Sequence, residues 1–386
     1  MEIRRNIFLF KLYYLFYEIW PLSVLAVVFF QQITGSYALA LGVFSIASIV
    51  QSLAEIPTGV FSDKIGRKKT LVLSSVLSVL AFLMFALAGA HKYLLIPGAI
   101  LWALSDAFAS GTDDALMYET MEELNKPDEY DILYARSKTF GQVGLATGAL
   151  VAAFTTYFYS LNVLAWVSVI FGIFPIFICL RFVEPKKHTV EDNTSVKHFV
   201  IAMKSFVKNK KLRILATIQM LNRAVSFTSY RIEGAYYNTL ISTWAVNVAR
   251  IIKQVCGAIG FSIAPYFRKF GFYRILVVST IGVAAIKTIA VTLNNFITPF
   301  FQSSGNLLWG PCRTAESALL QQELSPKQRA TMGSIVSLMG GILSAAIYWG
   351  IGMIADMTSV WFAIVVIIFC NLLISGGYYL MLKKYK

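Results

Sequence analysis

Charge is scarce in this sequence. Asp, Glu, Lys and Arg make up 14% of its 386 residues, against roughly 25% in an ordinary soluble domain. With 57% hydrophobic residues and a mean hydropathy of +0.65, the chain falls outside the soluble globular class. Cysteine is scarce as well. Cys179, Cys256, Cys312 and Cys370 all lie in apolar runs, which argues against a disulfide framework. The three histidines, His91, His188 and His198, have no metal-site spacing, so no metal is expected. There is no Gly-x-x-x-x-Gly-Lys-Ser/Thr loop, which argues against direct use of a nucleotide. No nucleophile stands beside a base, so neither an intramembrane enzyme nor a cofactor is expected.

Long apolar runs are what the chain does have. A bilayer core needs about 20 apolar residues per helix, and about twelve such runs are present: 7–30, 37–61, 70–90, 93–117, 138–158, 161–182, 212–237, 240–265, 275–294, 296–320, 331–353 and 360–382. The first is too long for a cleavable signal, contains Lys11 and Glu18, and has no small-residue cleavage site. The spacing predicts an all-α, multi-pass membrane protein. The net charge of +14 would point to nucleic acid in a soluble protein. Here, with both termini in the cytoplasm, about 26 of the 34 Lys and Arg fall in cytoplasmic segments, which is the positive-inside pattern. No nucleic-acid partner is expected. The expected partners are lipid and a small-molecule substrate.

Six runs precede the basic stretch Arg181 to Arg213 and six follow it. The expected domains are a six-helix bundle over 1–182, a cytoplasmic linker over 183–211 with a surface helix in its second part (198–211), and a second six-helix bundle over 212–386. The halves echo each other. Asp113 or Asp114, then Arg136 ahead of Gly141, Gly144 and Gly148, answer to Glu316, then Arg329 ahead of Gly333 and Gly340. A weaker echo sets "RKFGFYR" after span 8 against "DKIGRKK" after span 2. Two halves in the same orientation are the parallel repeat of one transporter architecture.

"GVFSDKIGRKK" places Gly59, Asp63, Lys64, Gly66, Arg67 and Lys68 between spans 2 and 3. With twelve spans, a long central loop and the half-repeat, the chain resembles the major facilitator superfamily. "EIPTGVFSDKIGRKK" and the glycine-rich span 5 look most like its drug-efflux branch, although span 5 has no Gly-Pro pair. The resemblance implies a monomeric secondary transporter in a bacterial inner or plasma membrane, working by alternating access. It also implies that the loop is a gating latch. Asp63 is expected at a helix N-terminus, that of span 11, and Arg67 at Asp113 or Asp114, each contact worth about 1 kcal/mol.

Ionisable residues inside spans are functional candidates by default. Span 7 carries Gln219, Asn222, Arg223, Ser226, Tyr230, Glu233 and Tyr237 at spacings of 3 and 4, which puts them on one helical face. By the resemblance, spans 1, 4, 7 and 10 line the substrate path, which places Glu18, Asp106, Arg223 and Arg313 on it. Tyr230 and Glu233 of the stripe and Arg250 in span 8 are added as candidates. The plain alternative for each is a buried structural ion pair. Protons titrating Glu18 or Asp106 are the expected energy source. Deep bases outnumber deep acids, which favours an anionic or zwitterionic substrate. Proton-coupled export of amphipathic drugs is the alternative, and a channel or receptor on the same fold a lesser one.

Overall fold

The computed structural model describes residues 2–186, 209–322 and 326–385, and every regular element among them is helical. The expected surface helix over 198–211 lies largely outside the described residues. The chain divides into two compact units. Unit 1 is Met1–Thr34 with Ile46–Asp192, and unit 2 is Gly35–Ser45 with Asn193–Lys386.

Unit 1 holds α1 (Asn6–Tyr17), α2 (Ala26–Thr34), most of α3 (Tyr37–Ile65), α4 (Arg67–Leu87), α5 (Leu95–Ala109), α6 (Thr112–Glu123), α7 (Tyr130–Phe158) and α8 (Leu161–Arg181). Unit 2 holds the start of α3, then α9 (Lys210–Asn238), α10 (Thr243–Phe267), α11 (Phe272–Leu293), α12 (Thr298–Ser304), α13 (Trp309–Gln322), α14 (Pro326–Met357) and α15 (Val360–Tyr385).

Among the described residues, eight segments are long and apolar enough to cross a membrane. The other four expected spans depart from that criterion for two reasons. Spans 138–158 and 212–237 are continuous, as α7 and α9, but more polar. Spans 7–30 and 296–320 are broken. The first stops at Tyr17, because Pro21 opens a 3-10 turn over Pro21–Val24 and proline cannot continue the preceding helix. The backbone N–H of Leu22, freed by the break, donates to Ser168 Oγ at 3.1 Å. The second is interrupted by a 3-10 turn over Gly305–Leu308.

The expected span 93–117 is also divided. Helix α5 ends at Ala109, and Gly111 takes a φ of +76° before α6 begins. Asp113 and Asp114 then stand in the first turn of α6, where the helix dipole favours carboxylates. Asp106 and Asp113 therefore stand on two separate helices, although one apolar run holds both.

The two units repeat one packing plan. In unit 1, α4 packs on α5 and α8, and α1 on α7 and α8; in unit 2, α11 packs on α13 and α15, and α9 on α14 and α15. The loop echo is a conformational one too. Gly66 precedes α4 with a φ of +103°, and Gly271 precedes α11 with a φ of +85°. Glycine adopts that backbone without a Cβ penalty, which is why it survives in both loops while the aspartate does not. In the other echo, the side chains of Arg329 and its neighbours lie outside the described residues. Span 5 uses its glycines for contact. A Cβ on Gly144 would fall 2.2 Å from the Leu15 carbonyl oxygen, so α7 and α1 cross backbone to backbone there.

Leu9, Phe10, Leu71, Leu116, Met117 and Phe182 form the core of unit 1 between α1, α4, α6 and the end of α8. Outward lie large apolar side chains such as Phe154, Phe158, Phe177 and Leu180, and in unit 2 Phe369, Leu373 and Leu380. So much exposed apolar surface is untenable in water and ordinary against lipid tails. This is an integral membrane protein.

Candidate functional site

In unit 1 the polar residues converge on α1. Tyr14 and Tyr17 are three residues apart and so share a helix face. The Tyr14 hydroxyl donates to Asp113 Oδ2 at 2.5 Å, with Asp114 Oδ1 at 3.5 Å. The Tyr17 hydroxyl donates to Asp106 Oδ1 at 2.8 Å. Two tyrosines on one helix thus read the carboxylates on either side of the α5–α6 break. Lys138 of α7 sits over the Tyr14 ring, 4.2 Å from its centroid, close enough for cation–π attraction. Glu18 caps the end of α1, and its Cγ lies 3.3 Å from where a Cβ on Gly141 would be. Sequence reasoning named Glu18, Asp106, Asp113 and Asp114. It passed over Lys138, whose signal was a lone lysine entering the glycine-rich span.

The loop after α3 is built differently from the expectation. Arg67 does not reach Asp113 or Asp114. Its guanidinium pairs with Asp63 at 2.6 Å and with Glu119 at 3.2 Å, and donates to Ser62 Oγ at 3.0 Å. Glu119 lies a turn and a half beyond Asp113 on α6, which brings it level with the loop. Ser62 in turn accepts from Thr112 Oγ1 at 3.0 Å. The start of α4 is held by Glu184, which follows α8 and accepts the backbone N–H of Arg67 at 2.6 Å and of Lys68 at 2.8 Å. Asp63 is 41% exposed and Glu119 only 7%, so the buried acid is the one the sequence reading missed. Lys64 is exposed. The expected seat of Asp63 at the start of span 11 falls where side chains lie outside the described residues.

In unit 2 the polar stripe of α9 divides between two carboxylates. Toward its N-terminal part, Gln219 donates to the Glu316 carbonyl at 2.9 Å and Asn222 to Glu316 Oε1 at 2.6 Å. Glu316 also accepts from the Tyr378 hydroxyl at 2.7 Å and from Arg313 at 2.7 Å. The half-repeat extends to this contact: the first span of each six-span half donates to an acid on the fourth, Tyr14 to Asp113 and Asn222 to Glu316.

Further along α9, Glu233 pairs with Lys253 of α10 and, at 3.2 Å, with Lys287 of α11. Ser229 donates to Glu233 Oε1 at 2.7 Å and accepts from Lys287 at 2.5 Å. Arg250 donates to the Tyr230 carbonyl at 2.9 Å and lies 3.8 Å from that ring's centroid. Arg223, singled out by sequence, is exposed, with its guanidinium 5.4 Å from the Phe227 ring centroid. Arg231 sits 4.4 Å from the Phe44 ring centroid.

A third carboxylate missed by sequence, after Glu119 and Glu184, is Asp356, near the end of α14. It accepts the Ser36 hydroxyl at 2.5 Å and the backbone N–H groups of Tyr37 at 2.6 Å and Ala38 at 2.9 Å. These are orphan donors of the first turn of α3, and a carboxylate there serves as the N-cap. No group of His, Cys, Asp and Glu among the described residues could hold a metal ion.

The whole fold is shared with solved transporters. The chain superposes on the nucleoside transporter NupG with a TM-score of 0.82 at 14% identity, covering 100% of both chains. It superposes on a D-xylose-proton symporter with a TM-score of 0.76 at 14% identity, covering 98% of each. A bacterial homolog of the human lysosomal transporter Spinster matches with a TM-score of 0.76 at 12% identity, over 98% of this chain and 96% of that one. At such identities the likeness speaks for the fold alone. No curated protein sequence matches the chain. The family profile of the Major Facilitator Superfamily matches residues 12–348. With the profile spanning most of the chain and the fold in agreement, the protein belongs to the Major Facilitator Superfamily and is a membrane transporter of the secondary type, not an enzyme.

Proposed function

We propose that the protein is a proton-coupled secondary transporter of an anionic or zwitterionic small solute, working by alternating access. The observation that carries this reading is the sorting of charge between the units. Unit 1 gathers the carboxylates of Glu18, Asp106, Asp113 and Asp114 around α1, with Lys138 as their neighbouring cation. Unit 2 sets Arg250, Lys253 and Lys287 around Glu233. Carboxylates within a membrane are suited to taking up and releasing protons, and buried guanidinium and ammonium groups to holding an anion. Glu18 supports the first role: it is partly buried, and its carboxylate accepts no hydrogen bond from a described residue. Asp106 is the second proton candidate, with Tyr17 as its donor.

Arg67, Asp63 and Glu119 support the latch reading of the loop, with partners changed from those expected. An exposed pair contributes about 0–1 kcal/mol, weak enough to open in each cycle, while Glu119 and Glu184 keep the α4 end in place. In this reading the termini and the latch face the cytoplasm, and the protein acts as a monomer.

The test is uptake into proteoliposomes of a panel of acidic, zwitterionic, neutral and lipophilic cationic solutes, with and without a pH gradient. An acidic or zwitterionic solute that accumulates with the gradient, and leaks back on addition of a protonophore, is the expected result. Movement of lipophilic cations alone would replace this reading with drug export.

A further inference from the structure

One place in unit 2 has a charge balance that the described residues do not close. Glu233 is 1% exposed and Arg250 4%; the side chains of Lys253 and Lys287 are 13% and 11% exposed. Three cations therefore surround one carboxylate in a dry region. Ser229, the other close partner, is neutral. The Tyr230 ring softens the charge of Arg250 but does not cancel it, and arginine keeps its proton even when buried.

One orphan group lies within the cluster, and another lies on a helix packed against it. Nη1 of Arg250 is buried without a hydrogen-bond partner. On the segment packed alongside, Ser303 of α12 donates to the Ala249 carbonyl at 2.9 Å. Its neighbour Gln302, 3% exposed, leaves both amide atoms without a partner. Buried polar atoms are rarely left so, and a buried cation in excess calls for an anion.

We propose that Arg250, Lys253 and Lys287 form a binding site for a small anion, with Glu233 as an internal competitor for the two lysines. The ligand chemistry is a carboxylate, a phosphate or a halide, seated against the unpartnered Nη1 of Arg250. Its source is either the acidic group of the transported solute or a free inorganic ion. Only the first source rests on the transport reading above.

The experiment measures the melting temperature of the purified full-length protein in detergent during titrations of chloride, inorganic phosphate and acetate, at constant ionic strength made up with bulky gluconate. At least one of these anions should stabilise the parent saturably. Arg250→Gln should weaken its apparent affinity by at least about 30-fold, the effect of truncating one member of a buried charged pair. Glu233→Gln should do the opposite and tighten anion binding, because it removes the competing carboxylate. A purely structural ion-pair cluster predicts a destabilised Glu233→Gln protein with no such gain. Should Arg250→Gln fail to fold, Lys287→Gln takes its place in the comparison.

Competition between the bound anion and an acidic solute assigns the site to the solute. Saturable chloride binding with no such competition assigns it to a resident inorganic ion. No saturable effect of any of the three anions, or equal affinity in parent and Arg250→Gln, overturns the site. A protein that binds the anion but shows no gradient-driven uptake keeps the site and loses the transport reading, so the two failures are distinct.

Discussion

The Tyr14 hydroxyl donates to Asp113 at 2.5 Å and thereby ties α1 to the first turn of α6. The contact lies beside the break at Gly111, where it adds to the Thr112–Ser62 hydrogen bond in fixing the start of α6. A hydrogen bond to a charged group is worth about 1.5–3 kcal/mol when its partner is left buried. Tyr14→Phe should therefore lower thermal stability in detergent by about that amount, and Asp113→Asn by a similar one. The double variant should show a coupling of about 0.5–3 kcal/mol between them. Simple additivity of the two losses would mean that the contact is incidental.

The Arg67 cluster makes a prediction about which acid matters. Asp63 is exposed and Glu119 buried, though both pair with the same guanidinium. Asp63→Asn should change stability by no more than about 1 kcal/mol while slowing transport. Glu119→Gln should cost about 3–5 kcal/mol, the range for breaking a buried pair, and reduce the folded yield. Equal melting temperatures for the two variants would refute this ranking.

The two glycines of the Gly59–Lys69 motif should also separate. A Cβ on Gly59 meets no described atom within 4 Å, whereas Gly66 has a φ of +103° and the Glu184 carboxylate 3.0 Å from its missing Cβ. Gly59→Ala, mid-helix in α3, should be neutral or stabilising by up to about 1 kcal/mol. Gly66→Ala should destabilise, by about 1–3 kcal/mol from the strained backbone alone, and should also loosen the Glu184 cap. Thermal melts of the two single variants decide this. A tolerated Gly66→Ala would contradict the geometry.

Asp356 caps α3 with two backbone hydrogen bonds and one to Ser36. Its replacement by alanine should cost about 0.5–2 kcal/mol, as for other helix caps. The sharper readout is hydrogen exchange: the amides of Tyr37 and Ala38 should exchange faster in Asp356→Ala than in the parent. Unchanged protection at both would show that the cap is not maintained in solution.

Hydropathy made the spans and the half-repeat legible, because a bilayer imposes one length and one polarity on every crossing segment. It did not reveal the breaks at Pro21 and Gly111, since apolar runs continue across them. The Pro21 and Ser110–Gly111 signals were present, but they count for little in a hydropathy window. Intramembrane charges were legible one by one and not as pairs. Glu233 shares the span-7 stripe with Arg223, yet its partners Lys253 and Lys287 come from two other helices, which no spacing along α9 can indicate. Glu119, Glu184 and Asp356 escaped notice for a related reason. Glu184 and Asp356 lie at segment ends, where a carboxylate looks like ordinary surface until the backbone N–H groups it accepts are seen, and Glu119 is explained only by the Arg67 side chain that reaches it.

The central claim is that carboxylates of unit 1 couple solute movement to protons, and one paired measurement tests it. Gradient-driven uptake and solute counterflow are compared in proteoliposomes carrying the parent, Glu18→Gln or Asp106→Asn. Counterflow requires only reorientation of the loaded carrier, so it survives loss of the proton site. The account predicts that one of the two variants loses accumulation driven by the pH gradient and keeps counterflow. Full pH-driven accumulation in both variants would contradict it.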